Sequence, residues 1–179
     1  MKATGIVRRI DDLGRVVIPK EIRRTMRIRE GDPLEIYTTR EGEVIFKKYS
    51  VLGNLEAFAA QFCDTLNRSS DFTAAVTDRD TVIAIAGSGR RELLGRQIAP
   101  ALGHLMETRQ FYQDDGSGDS LPVSDSDPRY LAAVAAPILC AGDVLGLVLF
   151  LSAERRAPGE AECKLAQVVA SFMGRSMED

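Results

Sequence analysis

Two periodicities of apolar and polar positions divide the chain near residue 50. Before it, short β-branched runs are punctuated by turn residues. Residues 4–10 and 15–18 read as strands on either side of Asp11-Asp12-Leu13-Gly14. Pro19 suits a first helical position, so a helix follows it, with Ile22 and Met26 paired on its inner face. Residues 33–39 alternate and residues 43–49 return across Arg40-Glu41-Gly42 as a hairpin. The head is thus expected to hold four short strands and one helical segment.

Beyond Gly53 the period lengthens. Asn54 is a fitting N-cap, and Leu55, Phe58, Ala59, Phe62, Cys63 and Leu66 form one helical stripe. Residues 72–77 and 81–86 predict strands joined by Asp78-Arg79-Asp80. Residues 90–106 lean helical with a break near Pro100, and 114–127 form a polar loop. Residues 131–140 and 144–151 predict a buried hairpin. The last element, 159–177, is a helix with Ala161, Leu165, Val168, Val169, Phe172 and Met173 at core spacing. The fold class is α+β, with a head at 1–50, a linker at 51–55 and a body at 56–179.

Charge follows the same division. Residues 1–52 carry 12 Lys+Arg against 8 Asp+Glu, net +4, and residues 53–179 carry 11 against 18, net −7. The whole-chain value of −3 therefore conceals a basic head on an acidic body. Around the proline-led helix, Lys20, Arg23, Arg24 and Arg27 share an arc of roughly 100°. Arg27 falls near or past the helix end. Arg8, Arg9 and Arg15 add cations from the strand and turn. Cations grouped on one surface are what phosphate neutralisation requires. A unit of this size without disulfide or metal sits near the lower limit for folding alone, so a second copy is the expected remedy.

The head closely resembles the swapped-hairpin DNA-binding domain of AbrB-type transition-state regulators. The resemblance rests on Lys2-Ala3-Thr4-Gly5-Ile6-Val7-Arg8, Leu13-Gly14-Arg15-Val16-Val17-Ile18-Pro19, Arg23-Arg24-Thr25, Leu34-Glu35-Ile36-Tyr37 and Lys47-Lys48-Tyr49. It implies two chains exchanging hairpins into one barrel-like dimer that binds double-stranded DNA. Position by position it implies Arg8, Arg15, Arg23 and Arg24 as the gripping arginines, with Lys2, Arg9 and Lys20 as supporting phosphate contacts. The element order of the body is similar to a GAF domain, a small-molecule sensor fold. That likeness implies a pocket walled by Phe72, Ala74, Ile83, Ile85, Leu93, Leu94, Ile98, Leu102, Val134 and Ala136. Head and body together resemble sporulation-type transcription regulators, activating and repressing.

Other signals carry little chemistry. His104 is the only histidine and has no partner set for a triad or metal. Cys63, Cys140 and Cys163 lack zinc or disulfide spacing. Gly87-Ser88-Gly89-Arg90-Arg91 hints at an anion loop but lacks the third glycine of a dinucleotide motif. No enzyme activity, metal or cofactor is expected. A soluble, cytoplasmic, nucleoid-associated homo-oligomer is expected, paired through the heads and joined into a tetramer by body helices. The rival readings are an antitoxin-type autoregulator that also binds a toxin protein, and a thiol reductase on the GAF fold.

Overall fold

A computed structural model describes residues 4–49 and 56–177. The chain divides into two compact units, Met1–Tyr49 and Ser50–Asp179.

In the head, α1 (Lys20–Thr25) is followed by β1 (Leu34–Thr38) and β2 (Val44–Lys48), an antiparallel pair in which Ile36 faces Phe46. The two strands expected at 4–10 and 15–18 are absent from this fold. Both arms leave a closed turn, where the Asp11 amide donates to the Arg15 carbonyl (3.1 Å) and the Gly14 amide to the Asp11 carbonyl (3.0 Å). A strand needs a neighbour for its amides, and a single chain offers these arms none. Burial makes the same point. No described residue of the head is buried. Val7, Ile10, Leu13 and Val17 are 86%, 68%, 69% and 71% exposed. A single chain thus leaves the apolar residues of these arms uncovered.

The body is built differently. α2 (Glu56–Arg68) precedes β3 (Thr73–Thr77) and β4 (Val82–Ala86), then α3 (Arg90–Leu93) and α4 (Pro100–Thr108). β5 (Tyr112–Gln113), β6 (Leu131–Cys140), β7 (Asp143–Ser152) and α5 (Glu160–Arg175) complete it. The sheet is antiparallel in the order β4-β3-β7-β6-β5. Strand alternation sends Ala74, Val76, Val148 and Phe150 to a layer under α2 and α5. It sends Ala75, Leu147, Leu149 and Leu151 to the opposite layer, under α3 and α4. Small residues in β3 and β6 let helices approach closely. Gly174 of α5 lies so near β6 that an added Cβ would collide with the Leu139 carbonyl.

β5 lies outside every expected element, because two residues are too few to show a period. Residues 90–106 are helical with the expected break near Pro100, since Pro100 starts a new helix at its first turn. One expectation needs correction: on α5, Ala161, Val168 and Phe172 are not core but exposed, the last two at 65% and 51%. The buried face is Cys163, Ala166, Val169, Ala170, Met173 and Gly174, where smaller side chains meet the alanine-rich strands.

The polar loop is tied down by a forked ion pair. Arg155 donates to both carboxylate oxygens of Asp114 (2.9 and 2.7 Å) and to the Gly118 carbonyl (2.8 Å). Asp114 is 4% exposed. The Arg155 hydrogen bonds hold its carboxyl below the ordinary 3.8. A depressed value means that the pair stabilises fully above pH 3.8 and is lost as pH falls through the folded value. Asp114→Asn is therefore expected to cost about 1–2 kcal/mol at neutral pH, the half-exposed arginine reducing the effect. The gap from the native protein closes in acid, which urea unfolding at about pH 6 and pH 3 measures. Among the described residues, no helix is long and apolar enough to cross a membrane.

Candidate nucleic-acid interface

The cations of the head are placed by two local devices. The first is α1 itself. Pro19 stands at its N-cap with extended backbone, one position earlier than expected, and its carbonyl accepts from the Arg23 amide (2.9 Å). The helix ends in a Schellman arrangement: the Ile28 amide donates to the Arg23 carbonyl (2.8 Å) and the Arg27 amide to the Arg24 carbonyl (3.3 Å). Arg27 takes the left-handed position that this ending demands, at φ 51°, and so lies beyond the helix. Lys20, Arg23 and Arg24 remain on α1, three and four residues apart, and face one side of it.

The second device is the turn at 11–15. Asp11 accepts from the amides of Leu13 (3.0 Å) and Arg15 (2.8 Å) and from the Arg15 guanidinium (2.8 Å). These bonds, the Arg15 amide first, lower the Asp11 carboxyl from its ordinary value. Arg15 is thus oriented by an acid. The case of Arg8, Arg9, Lys20, Arg23 and Arg24 is different. All five are exposed, and none has an acidic partner among the described residues. Lys2 lies outside the described residues.

The ten expected pocket walls of the body do not converge on one cavity. Phe72, Ala74, Val134 and Ala136, with Ile83 against them, belong to the layer under α2 and α5. Ile85, Leu93, Ile98 and Leu102 belong to the layer on the other face of the sheet. Leu94 is 42% exposed. Ile83 and Ile85 are two apart on β4 yet go to opposite layers, because the register shifts at Ile83: Val76 pairs with Ala84 and Thr77 with Val82.

Packing also accounts for the glycine-rich loop. A Cβ on Gly87 would stand 2.7 Å from Thr73 Oγ1, and one on Gly89 2.6 Å from the Tyr130 ring. Close approach and positive φ explain both glycines without a phosphate. Burial pushes the Cys63 thiol up to about 12 and raises that of Cys163 as well. Thiols so held are poor nucleophiles at neutral pH. The residues missed by pattern reading are Arg109, Phe111 and Arg175, which line a groove beside α5. The signal that could have found them is a cation on each side of an apolar segment, spread across 66 residues and invisible to any local window.

A family model described as stage V sporulation protein T C-terminal, transcription factor, matches residues 54–178. A second, described as antidote-toxin recognition MazE, bacterial antitoxin, matches residues 7–51. The chain is 45% identical over 178 residues to stage V sporulation protein T of Bacillus subtilis (strain 168), covering 99% of both. It is 63% identical over 49 residues to the transition state regulatory protein AbrB of the same organism, 27% of this chain and 50% of that one. The GAF domain/HD domain protein from Geobacter sulfurreducens superposes at a TM-score of 0.50 with 18% identity, over 70% of this chain and 93% of that one. That likeness establishes the fold of the body. With a relative matched end to end and a family model spanning the body, the chain belongs to the stage V sporulation protein T family of transcription factors, with an AbrB-type head and a GAF-like body.

Proposed function

We propose that the chain is a sequence-specific transcription regulator of the sporulation type, activating some promoters and repressing others. Two heads, residues 1–50, exchange hairpins and hold duplex DNA with Arg8, Arg15, Arg23 and Arg24. Lys2, Arg9 and Lys20 add phosphate contacts. The observation that carries this reading is a head with no buried described residue beside five exposed cations that lack acidic partners. Exposed apolar arms call for a second copy, and unneutralised cations call for a polyanion. Sequence is read partly through DNA shape and deformability. Footprinting at two salt concentrations tests it: a protected site that weakens steeply with salt is expected, and no protected site at either concentration rejects it. The workplace of such a protein is the cytoplasm, at the nucleoid.

A linker at 51–55 joins each head to a sensor body at 56–179, and the bodies join two dimers into a tetramer. Phe58, Phe62 and Phe172 make one aromatic group on α2 and α5, with ring centroids 4.8, 5.6 and 6.3 Å apart. Val168 stands exposed one turn from Phe172. An apolar face of this kind on a folded domain supports helix-to-helix pairing between copies. Val168→Asp with Phe172→Asp is expected to convert a tetramer to a dimer in sedimentation. It should also weaken binding to paired DNA sites by about tenfold or more through lost effective concentration. Unchanged mass rejects the pairing. A small molecule bound unequally by two arrangements of the body would shift the heads and tune DNA affinity.

The antitoxin reading has the match at residues 7–51 in its favour. A cored 130-residue body in place of a toxin-wrapping tail weighs against it. The raised thiols weigh against a thiol reductase.

A further inference from the structure

We infer that the body carries a binding groove for a small amphipathic anion, with Arg109 and Arg175 taking its charged head. The groove measures 330 Å³, within the range of small-molecule sites. It follows from an incomplete sheet. β5 covers β6 at Val134 and Ala135, and residues 121–123 lie along its start at Leu131 and Ala132, so the edge of β6 beyond Ala135 is bare. The groove runs beside that edge, between Pro137 and Leu139 of β6 and the face of α5 that bears Gln167, Ser171 and Arg175. Those three are four residues apart and therefore stack on one side of the helix. Arg109 and Phe111 close the groove from the link between α4 and β5.

Charge selects an anion. The body is net −7, yet neither Arg109 nor Arg175 has an acidic partner among the described residues. Arg109 also occupies a left-handed position (φ 54°) at the end of α4, where glycine or asparagine is usual. Two apolar residues of the lining are uncovered: Phe111 is 37% and Leu139 43% exposed. Guanidinium groups bind carboxylate or phosphate by two parallel hydrogen bonds, and Gln167 and Ser171 supply neutral partners beside them. The apolar floor takes the body of the ligand.

The bare edge itself argues for a small molecule over a docked strand. The Asp114 amide donates to the Ala133 carbonyl (2.8 Å), so odd-numbered residues here point their backbone groups outward. Pro137 is one of them and has no N–H to offer. A proline at that position blocks pairing with another chain. This site shares only Ala136 with the walls expected from the GAF likeness. It lies on α5 next to the face that bears Val168 and Phe172, which gives a bound ligand a route to the assembly.

Calorimetric titration of the full chain with 3-phenylpropionate, phenyl phosphate and 3-phenylpropan-1-ol tests the assignment without DNA, so its failure leaves the reading of the heads untouched. At least one anion is expected to bind once per chain, and the alcohol at least tenfold more weakly. The tighter anion identifies the head group as carboxylate or phosphate. Arg109→Asn, which keeps the left-handed backbone, and Arg175→Gln should each weaken the anion about tenfold. Both positions are exposed, so the fold does not depend on them. Raising salt should weaken the anion and spare the alcohol on the unaltered protein, a readout that needs no variant. No anion binding at millimolar concentration, equal binding of the alcohol, or variants that bind as the native chain does would each overturn the proposal.

Discussion

Replacing Arg23 and Arg24 by alanine is expected to lower affinity for duplex DNA about 100-fold near physiological salt, and to flatten its dependence on salt. Each phosphate contact contributes roughly 0.9 to the slope of log affinity against log salt. A dimer of heads carries the pair twice, so losing all four cations should reduce the slope by about 3 to 4. Both side chains are exposed and lack acidic partners among the described residues, so the substitution removes charge without opening the fold. Thermal unfolding should therefore stay within a degree or two of the native protein, because surface changes of this kind move stability by about 0.5 kcal/mol or less. Arg15→Ala is the informative contrast. Its guanidinium is engaged by Asp11 at 2.8 Å, so it reaches DNA only by sharing or leaving that bond. Its loss should cost less affinity than that of Arg23, and Asp11→Asn should raise affinity slightly. Equilibrium binding at several salt concentrations decides the matter. An unchanged slope in the double variant would remove these arginines from the interface. A flatter slope with altered site preference would show that they touch bases as well as phosphates.

The body was legible in the sequence to the degree that its elements are long and amphipathic. β3, β4, β6 and β7 fall within one or two residues of the expected strands, because fully buried β-branched and alanine runs bounded by turns have few other fates. The α5 helix was legible in extent but not in rotation. Val168 and Phe172 are the larger apolar residues, so a stripe drawn by hydrophobicity alone places them inward. The structure instead buries Ala166, Ala170 and Gly174, because the backbone of the helix touches β6 and only small groups fit. The head failed in the opposite way. Its arms at 4–10 and 15–18 have the composition of strands, but the single chain offers their amides no neighbour. For the sites, arginines on one local helix were visible from their spacing, whereas the groove of Arg109 and Arg175 depends on three elements meeting across the fold. The expected pocket suffered from the same limit: residues chosen for being apolar and near a strand end are divided by the sheet between its two faces.

Two glycine-to-alanine changes on helices of opposite layers should move stability in opposite directions. Gly174→Ala places a methyl into the Leu139 carbonyl, and both sides of that contact are backbone. Neither can rotate away, so α5 must lift from β6. Overpacking of this kind costs about 1–3 kcal/mol, and the upper part of that range applies where no side chain can yield. The gain in helix propensity of about 1 kcal/mol is already included in the net loss, expected near 2 kcal/mol. In α4, a Cβ on Gly103 meets nothing within 4 Å, and no positive φ forbids it. There the propensity term acts alone, and Gly103→Ala should stabilise by about 0.5–1 kcal/mol. Urea unfolding of both variants measures the pair. A lifted α5 would also displace Gln167, Ser171 and Arg175 from the groove and shift Phe172 against Phe58 and Phe62. Gly174→Ala should therefore weaken anion binding and tetramer formation together, while Gly103→Ala leaves both as they are. Equal stability in the two variants would mean that the approach of α5 to β6 is looser than described, and the small-residue face of α5 would then have no structural reason.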